Sequence, residues 1–244
     1  MSDALAGETA LVTGAGRGLG RACAEGLADA GASVIAVARS SDDLAEVAAH
    51  ASGRIEAWTA DVTDDAFVER VAALDSLSII VNNAGGNRPG PFVDIDAESL
   101  DAILELNVRA CFRVAQAAAR TMIRSGTAGS IIHMSSQMGH VGSPGRTVYC
   151  MTKHAIEGLS KAMAVELAPQ GIRVNTVAPT FVETPLTRPM LQNKEFRDFV
   201  YGMIPMGKLA TEDDVVAAVL YLASPSAGMV TGHSLVIDGG WTAQ

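Results

Sequence analysis

Three side chains in the second half of the chain have types and spacing suited to moving a proton. Tyr149 and Lys153 are four residues apart in a run with helical periodicity (Val148, Met151, Ala155, Ile156, Leu159, Ala162, Met163, Val165), so they share one helix face, one turn from each other. An ammonium close to a phenol favours the phenolate, a state that a general acid/base working near neutral pH must reach. Ser136 follows an apolar run, Gly129 to Met134, that reads as a short buried strand, and a Gly/Ser/Pro loop separates it from the helix. If that loop folds back over the strand end, a hydroxyl, a phenol and an ammonium meet at one place. Taken alone, Tyr-x-x-x-Lys equally describes a packed tyrosine and a solvated helix charge. What precedes it in the chain separates the two.

Near the N-terminus, the apolar run Glu8 to Thr13 leads directly into Gly14-Ala-Gly-Arg-Gly-Leu-Gly20, and a helical pattern through Ala22, Leu27 and Ala30 stops at Gly31. Strand, glycine turn and helix in that order make a phosphate site, because bare backbone lets a pyrophosphate approach the helix N-terminus. The spacing is Gly-x-x-x-Gly-x-Gly (Gly14, Gly18, Gly20) rather than the usual Gly-x-Gly-x-x-Gly. A second buried strand, Ser33 to Ala38, runs into Arg39-Ser40. An NAD-selective site carries an acidic residue at the end of this strand to hold the ribose 2′-hydroxyl. Here Ala38 occupies that place, followed by Arg39, with Arg17 inside the glycine turn. Two guanidiniums and the Ser40 hydroxyl suit a 2′-phosphate, so NADP(H) is expected in preference to NAD(H).

The alternation continues to the C-terminus. Helical patterns span 43–51, the segment after Asp64, 97–125 (with Asn107 interrupting an apolar face), the run from Thr147, and 211–223. Strands read at 54–59, 77–81, 129–134, 173–178 and 234–237. Seven apolar strands alternating with helices predict an α/β fold, a single-domain doubly wound parallel sheet over residues 1–244 with helices on both faces. Ligands of such sheets bind beyond the carboxyl ends of the strands. The glycine turn, Arg39, Asp61, Asn83, Ser136 and Thr184 should converge there. No linker or repeat marks a second domain.

Bulk composition excludes several classes. A net charge of -9 over 244 residues, with no Lys/Arg run, argues against a nucleic-acid or anionic-membrane partner. Cys23, Cys111 and Cys150 are odd in number and lack ligand spacing, so they read as reduced core thiols, with no metal expected. No apolar stretch reaches membrane-helix length, and the N-terminus lacks a basic region followed by an apolar segment. A cytoplasmic location is expected.

Across nearly the whole chain this pattern resembles the short-chain dehydrogenase/reductase family. The matching motifs are Thr13-Gly-x-x-x-Gly-x-Gly20, Asp61, Asn82-Asn-Ala-Gly85, Asn107, Ser136 and Tyr149-x-x-x-Lys153, in the family's order. The resemblance implies a Rossmann fold and an NAD(P)(H)-dependent oxidoreductase that moves a hydride between the nicotinamide and a carbonyl or secondary alcohol. It implies catalytic roles for Asn107, Ser136, Tyr149 and Lys153. Asn107 would hold a helix kink and a water relaying protons to Lys153. Ser136, thirteen residues before Tyr149, would hydrogen-bond the carbonyl oxygen, Tyr149 would exchange its proton, and Lys153 would bind the nicotinamide ribose. The cofactor bed would comprise Gly14, Gly16, Arg17, Gly18, Leu19, Arg39, Ser40, Asp61, Val62, Asn83, Ala84, Gly85, Tyr149, Lys153, Val182 and Thr184, with Asp61 at the adenine. A mobile substrate lid is expected over about 184–206, with Pro185, Pro189 and Pro205 at hinges and turns around short helices. The family usually has Pro-Gly after the sixth strand; this chain has Pro179-Thr180.

Within the family, Ser136-Gln137, Val148-Tyr-Cys-x-Thr-Lys153 and Ile204-Pro-x-Gly-Lys-x-Ala210 are similar to sugar-ketose reductases of the L-xylulose/carbonyl reductase type. Ser136, Gln137, Arg146 and Tyr149 are the candidate substrate contacts, and the polar walls favour a small, sugar-like compound over a steroid or long acyl chain. A 3-oxoacyl-carrier-protein reductase and a gluconate-type sugar-acid dehydrogenase are the alternatives. A non-catalytic dinucleotide-binding regulator is a remoter one, since such proteins typically lose the Tyr or the Lys. Apolar residues on more than one face of the helices at 107–125 and 147–168 predict a homo-oligomer, a tetramer by the family's habit, with Trp241 as a further subunit contact.

Overall fold

The structure is a computed structural model that describes residues 3–50, 53–184 and 187–244, and of Pro189 the backbone only. Seven strands, β1 Thr9–Thr13, β2 Ser33–Ala38, β3 Ile55–Thr59, β4 Ile79–Asn82, β5 Gly129–Met134, β6 Ile172–Pro179 and β7 Ser234–Ile237, form one parallel sheet in the order β3-β2-β1-β4-β5-β6-β7. The central strands are covered on both faces, which is why β1, β2, β4 and β5 are nearly continuous apolar runs. At the edge, β3 buries only Ile55 and Trp58, and the Arg70 guanidinium lies 3.4 Å above the Trp58 ring.

One face of the sheet carries α1 (Gly18–Asp29), α2 (Ser41–Ala48) and α9 (Glu212–Ala223), whose Leu27, Leu44, Val215 and Leu222 pack with Val12, Ala36 and Ile132. The other carries α3 (Asp65–Ala72), α5 (Cys111–Ser125) and α6 (Thr147–Leu167), whose Phe67, Val114, Met122 and Ala164 pack with Leu11, Ile80 and Ile131. Helix starts follow the capping residues: Ser40 accepts from Asp43 N at 3.2 Å, and Thr211 and Asp214 form a reciprocal capping box. No helix among the described residues is long and apolar enough to cross a membrane.

Three elements sharpen the expected pattern. The span 97–125 is interrupted at Asn107 as expected: α4 (Ala97–Leu104) passes through a π-helical turn, Glu105–Ala110, into α5. The second helix occupies 41–48 rather than 43–51, because Ser40 caps it early; Ala51 lies outside the described residues. The lid region, which has no clean period, contains two short helices, α7 (Arg188–Leu191) and α8 (Lys194–Gly202, capped by Asn193). The expected hinge at Pro185 lies outside the described residues, as does the side chain of Pro189.

Trp241 corrects another expectation. It is buried within its own chain, packing with Val200 and Ile204, with its ring 6.0 Å from Phe181 and 6.1 Å from Phe199. At 6% exposure its side chain has little surface to offer another subunit.

Candidate active site

Parallel register brings the carboxyl ends of the strands to one edge: Thr13 lies opposite Val37, Asn82 opposite His133, Met134 opposite Val177 and Pro179 opposite Ile237. The strand order reverses direction at β1/β4, the place where doubly wound sheets open a crevice.

The glycine turn lies beside that crevice. Gly14 and Gly18 have φ of +66° and +55°, a left-handed backbone that side chains disfavour. A Cβ at Gly20 would lie 2.1 Å from Gly14 O, so α1 starts closer to the turn than any other residue allows. At Gly18 the same construction meets nothing within 4 Å, leaving the turn open on its outer side. A dinucleotide pyrophosphate fits such a cradle at the N-terminus of α1. Thr13 holds the turn against the next loop: its Oγ1 accepts from Asn83 N and Ala84 N, both at 3.0 Å, while Asn83 Nδ2 donates to Thr13 O at 3.0 Å. Asn83 therefore braces the turn from beneath. Gly85 is nearly as confined, since its Cβ would come within 3.2 Å of Asn107 Oδ1.

A cleft of about 290 Å³ opens between the glycine turn and the start of the 184–206 segment, lined by Arg17, Gly18, Arg21, Glu183 and Arg188 among others. Leu19 and Ala84 are partly buried against the core, and Val62 and Val182 are buried. Val182 pairs with Ala210, and Thr184 is held by hydrogen bonds with Thr187, which fixes the chain where it leaves β6. At the far end of the crevice Arg39 is 81% exposed and 3.8 Å from Asp61. Partial burial pushes the Asp61 carboxyl upward. Hydrogen bonds from Thr63 and the Arg39 charge outweigh it and hold the group below its usual range. The Ser40 hydroxyl accepts from Asp43 N and donates to no partner among the described residues. Gly16 has Ala38 and Asp43 within 3.1 Å of where a Cβ would stand, which keeps the floor of this end shallow.

On the other side of the crevice, Lys153 is only 6% exposed and its Nζ donates to Met134 O at 2.7 Å. The same Nζ is 5.5 Å from the centre of the Tyr149 ring. Tyr149 is half-buried at the start of α6. Asn107 lies on the π-helical turn and is used in full: Oδ1 accepts from Gly86 N at 2.8 Å, and Nδ2 donates to Gly86 O at 2.9 Å and Thr152 Oγ1 at 3.1 Å. It thus joins the loop after β4, the π turn and α6. Ser136 Oγ donates to Gln137 Oε1 at 2.7 Å and accepts from Met138 N at 3.1 Å. Arg146 precedes α6 and is half-buried, with no hydrogen-bond or ion-pair partner for its guanidinium among the described residues. Burial lowers its pKa from the ordinary arginine value, with Tyr149 and Cys150 opposing.

Several roles were not read from the sequence. Thr13 and Thr152 stand within the matched motifs but act through hydroxyls inside otherwise apolar elements, and the Met134 acceptor is backbone, which no residue type reveals. His133 and Cys111 form a fully buried pair, Nδ1 to Sγ 3.3 Å. Burial, with Lys153 adding to it, pushes the imidazole down to about 4; burial against the opposing Lys153 pushes the thiol up to about 12. Both are neutral at physiological pH. A further buried cluster ties the Ser136 loop to α6: Glu157 accepts from Thr176 Oγ1 at 3.0 Å and Ser234 Oγ at 3.2 Å, with His140 at 3.4 Å. The arrangement can bind a dinucleotide along the strand ends and deliver a proton beside its far end.

Comparison with known proteins agrees with this geometry. A family model described as enoyl-(acyl carrier protein) reductase matches residues 14–242. The chain is 42% identical to a D-erythrulose reductase from Gallus gallus over 96% of each chain, and 39% identical to an L-xylulose reductase from Mus musculus over 100% of each. A solved gluconate 5-dehydrogenase from Burkholderia cenocepacia, in complex with NADP and tartrate, superposes with a TM-score of 0.92 at 34% identity, covering 98% of this chain and 97% of that one. The chain belongs to the short-chain dehydrogenase/reductase family, NAD(P)-dependent oxidoreductases acting on CH–OH and C=O groups.

Proposed function

We propose that the chain is an NADP(H)-preferring reductase of small polyhydroxylated ketones, one domain closed by the lid at 184–206. The observation that carries the proton-transfer half is the buried Lys153 ammonium, held by Met134 O and 5.5 Å from the Tyr149 ring. The nicotinamide, when bound, supplies or accepts the hydride. Tyr149 gives its proton to the oxygen that gains charge during reduction and takes it back during alcohol oxidation. Lys153 sets its charge beside the Tyr149 ring and holds the nicotinamide ribose. Ser136 directs a hydrogen bond at the developing oxyanion. The Asn107 turn holds the water that returns a proton to Lys153. Gly14, Gly16 and Gly18 line the pyrophosphate, and Arg39, Arg17 and Ser40 take the 2′-phosphate.

The substrate class is supported by the D-erythrulose and L-xylulose reductases the chain resembles and by the polar Arg146 beside Tyr149. Gln137, buried at 1% exposure, stands behind Ser136 rather than against the substrate. A second reading, a sugar-acid dehydrogenase, is favoured by one observation: the half-buried Arg146 guanidinium has no acidic partner among the described residues. An ion buried without its counterion is costly, and a substrate carboxylate would offset that. Two exposed apolar helix surfaces, Phe112 and Ile123 on α5 with Met151 and Val165 on α6, support assembly into a tetramer. Three buried, unpaired cysteines suit the reducing cytoplasm.

The test is kcat/KM for L-xylulose, D-erythrulose, diacetyl, 5-keto-gluconate and acetoacetyl thioester with NADPH under identical conditions. The ketoses should lead. A lead of about a hundredfold for the thioester overturns the reading, and a comparable lead for the keto acid moves it to the sugar-acid class.

A further inference from the structure

The Ser136 hydroxyl is turned the wrong way for its proposed task. Its proton goes to Gln137 Oε1 at 2.7 Å, so an oxygen arriving at Ser136 would face a lone pair rather than a donor. Gln137 itself is 1% exposed, and its Nε2 is buried with no acceptor among the described residues. Two anomalies, a committed donor and an idle one, thus belong to one pair of adjacent side chains.

We propose that Gln137 is a positioning residue that sets the direction of the Ser136 proton. The inference rests on the Ser136 role proposed above. A half-turn about the last torsion of Gln137 exchanges Oε1 and Nε2 within nearly the same volume. Nε2 then donates to Ser136 Oγ, and the serine proton swings out toward the reacting oxygen. The hydrogen-bond valence of Oγ closes: it accepts from Met138 N and Gln137 Nε2 and donates once. No covalent bond is made or broken. The backbone cannot supply the same adjustment. A Cβ on Gly139 would lie 2.8 Å from Ser135 Oγ and 3.2 Å from Lys153 O, so the Gln137–Gly139 turn is packed tightly on α6. The serine hydroxyl can turn about its own Cβ–Oγ bond, but alone that would leave the Gln137 Oε1 lone pair against Oγ. Turning the amide keeps the pair hydrogen-bonded, and an acceptor oxygen at Ser136 decides which way it faces.

The test compares wild type, Ser136→Ala, Gln137→Met and Gln137→Glu in NADPH-dependent carbonyl reduction from about pH 5 to 9, with NADPH Kd by fluorescence. Gln137→Met keeps the volume without the hydrogen bonds and should lower kcat about tenfold, leaving KM and NADPH Kd within about twofold. In Gln137→Glu the carboxylate only accepts, so it retains the serine proton. Turnover should be lower still near pH 8 and recover as the new acid becomes protonated. The ionisable groups nearby, His133 on β5 with Cys111 beside it, Arg146 before α6, Tyr149, Cys150, Lys153, His154 and Glu157 on α6 and His140 ending the turn, are common to all four proteins. The end of β6 presents Thr176, followed by Thr180, and no ionisable side chain. A difference in pH profile therefore belongs to position 137. Gln137→Met with kcat within about twofold of wild type overturns the inference, as does a Gln137→Glu profile that matches wild type. Should the buried charge prevent folding, Gln137→Met decides alone. An inactive Ser136→Ala beside a fully active Gln137→Met sinks this inference only; a fully active Ser136→Ala sinks the Ser136 reading beneath it.

Discussion

Lys153 Nζ donates to the Met134 carbonyl at 2.7 Å, tying the helix that carries Tyr149 to the strand that ends at Ser136. The two halves of the proposed proton-transfer site are therefore held by one buried ammonium, and its distance from Tyr149 is set by the sheet rather than by a loop.

Cofactor choice follows from the Arg39 end of the crevice. Arg39→Asp removes a guanidinium and sets a carboxylate beside Asp61, which lies 3.8 Å from the present side chain. Because Arg39 is 81% exposed, solvent screens much of the effect. The NADPH/NADH ratio of kcat/KM should fall about 10- to 100-fold, on the order of 1.4–2.8 kcal/mol. Wild-type kinetics as good with NADH as with NADPH would remove the basis for the assignment.

The buried His133 predicts a pH dependence of stability. Its folded pKa, about 4, lies below the unfolded value of about 6.5, so the unfolded chain binds the proton more readily. Stability is then fully present above about pH 6.5 and declines as pH falls toward about 4, by roughly 3 kcal/mol in all. Urea unfolding of wild type and His133→Asn at pH 7, 5.5 and 4.5 should give curves for the variant that fall less steeply. Parallel curves would show that the imidazole plays no part.

Much of this was legible before any coordinates. Parallel strands buried on both faces leave long apolar runs, and the glycine turn and Tyr149/Lys153 pair have spacings that depend on local geometry. A kink at Asn107 was expected from the family resemblance, but its form as a π turn over 105–110 was not, because an Asn in an apolar face does not say how the helix accommodates it. Short helices in the 184–206 segment were expected from its prolines, but their bounds were hidden by their brevity. Trp241 was misread because its burial depends on Phe181 and α8. Lys153's acceptor is a main-chain atom.

Assembly is the next prediction. Val165 is 81% exposed, and Phe112, Ile123 and Met151 are each about half exposed on neighbouring helices. Light scattering at micromolar concentration should report a tetramer, and Val165→Glu should shift it toward smaller species. A monomeric wild type would contradict the assignment of these helices to an interface.

Arg146 separates the two substrate readings. If it receives a substrate carboxylate, Arg146→Met should lower kcat/KM for 5-keto-gluconate by at least about tenfold and that for L-xylulose by less than about threefold. Equal losses for both substrates would assign Arg146 to shaping the loop instead.

The most direct test of the central claim is single-turnover carbonyl reduction by Tyr149→Phe, with NADPH binding measured on the same preparation. Removing the phenol oxygen leaves the ring, the Lys153–Met134 bond and the glycine turn in place. The account predicts NADPH affinity near wild type and a rate lower by about 100- to 10,000-fold. A rate within about tenfold of wild type at neutral pH, with cofactor bound, would contradict Tyr149 as the acid.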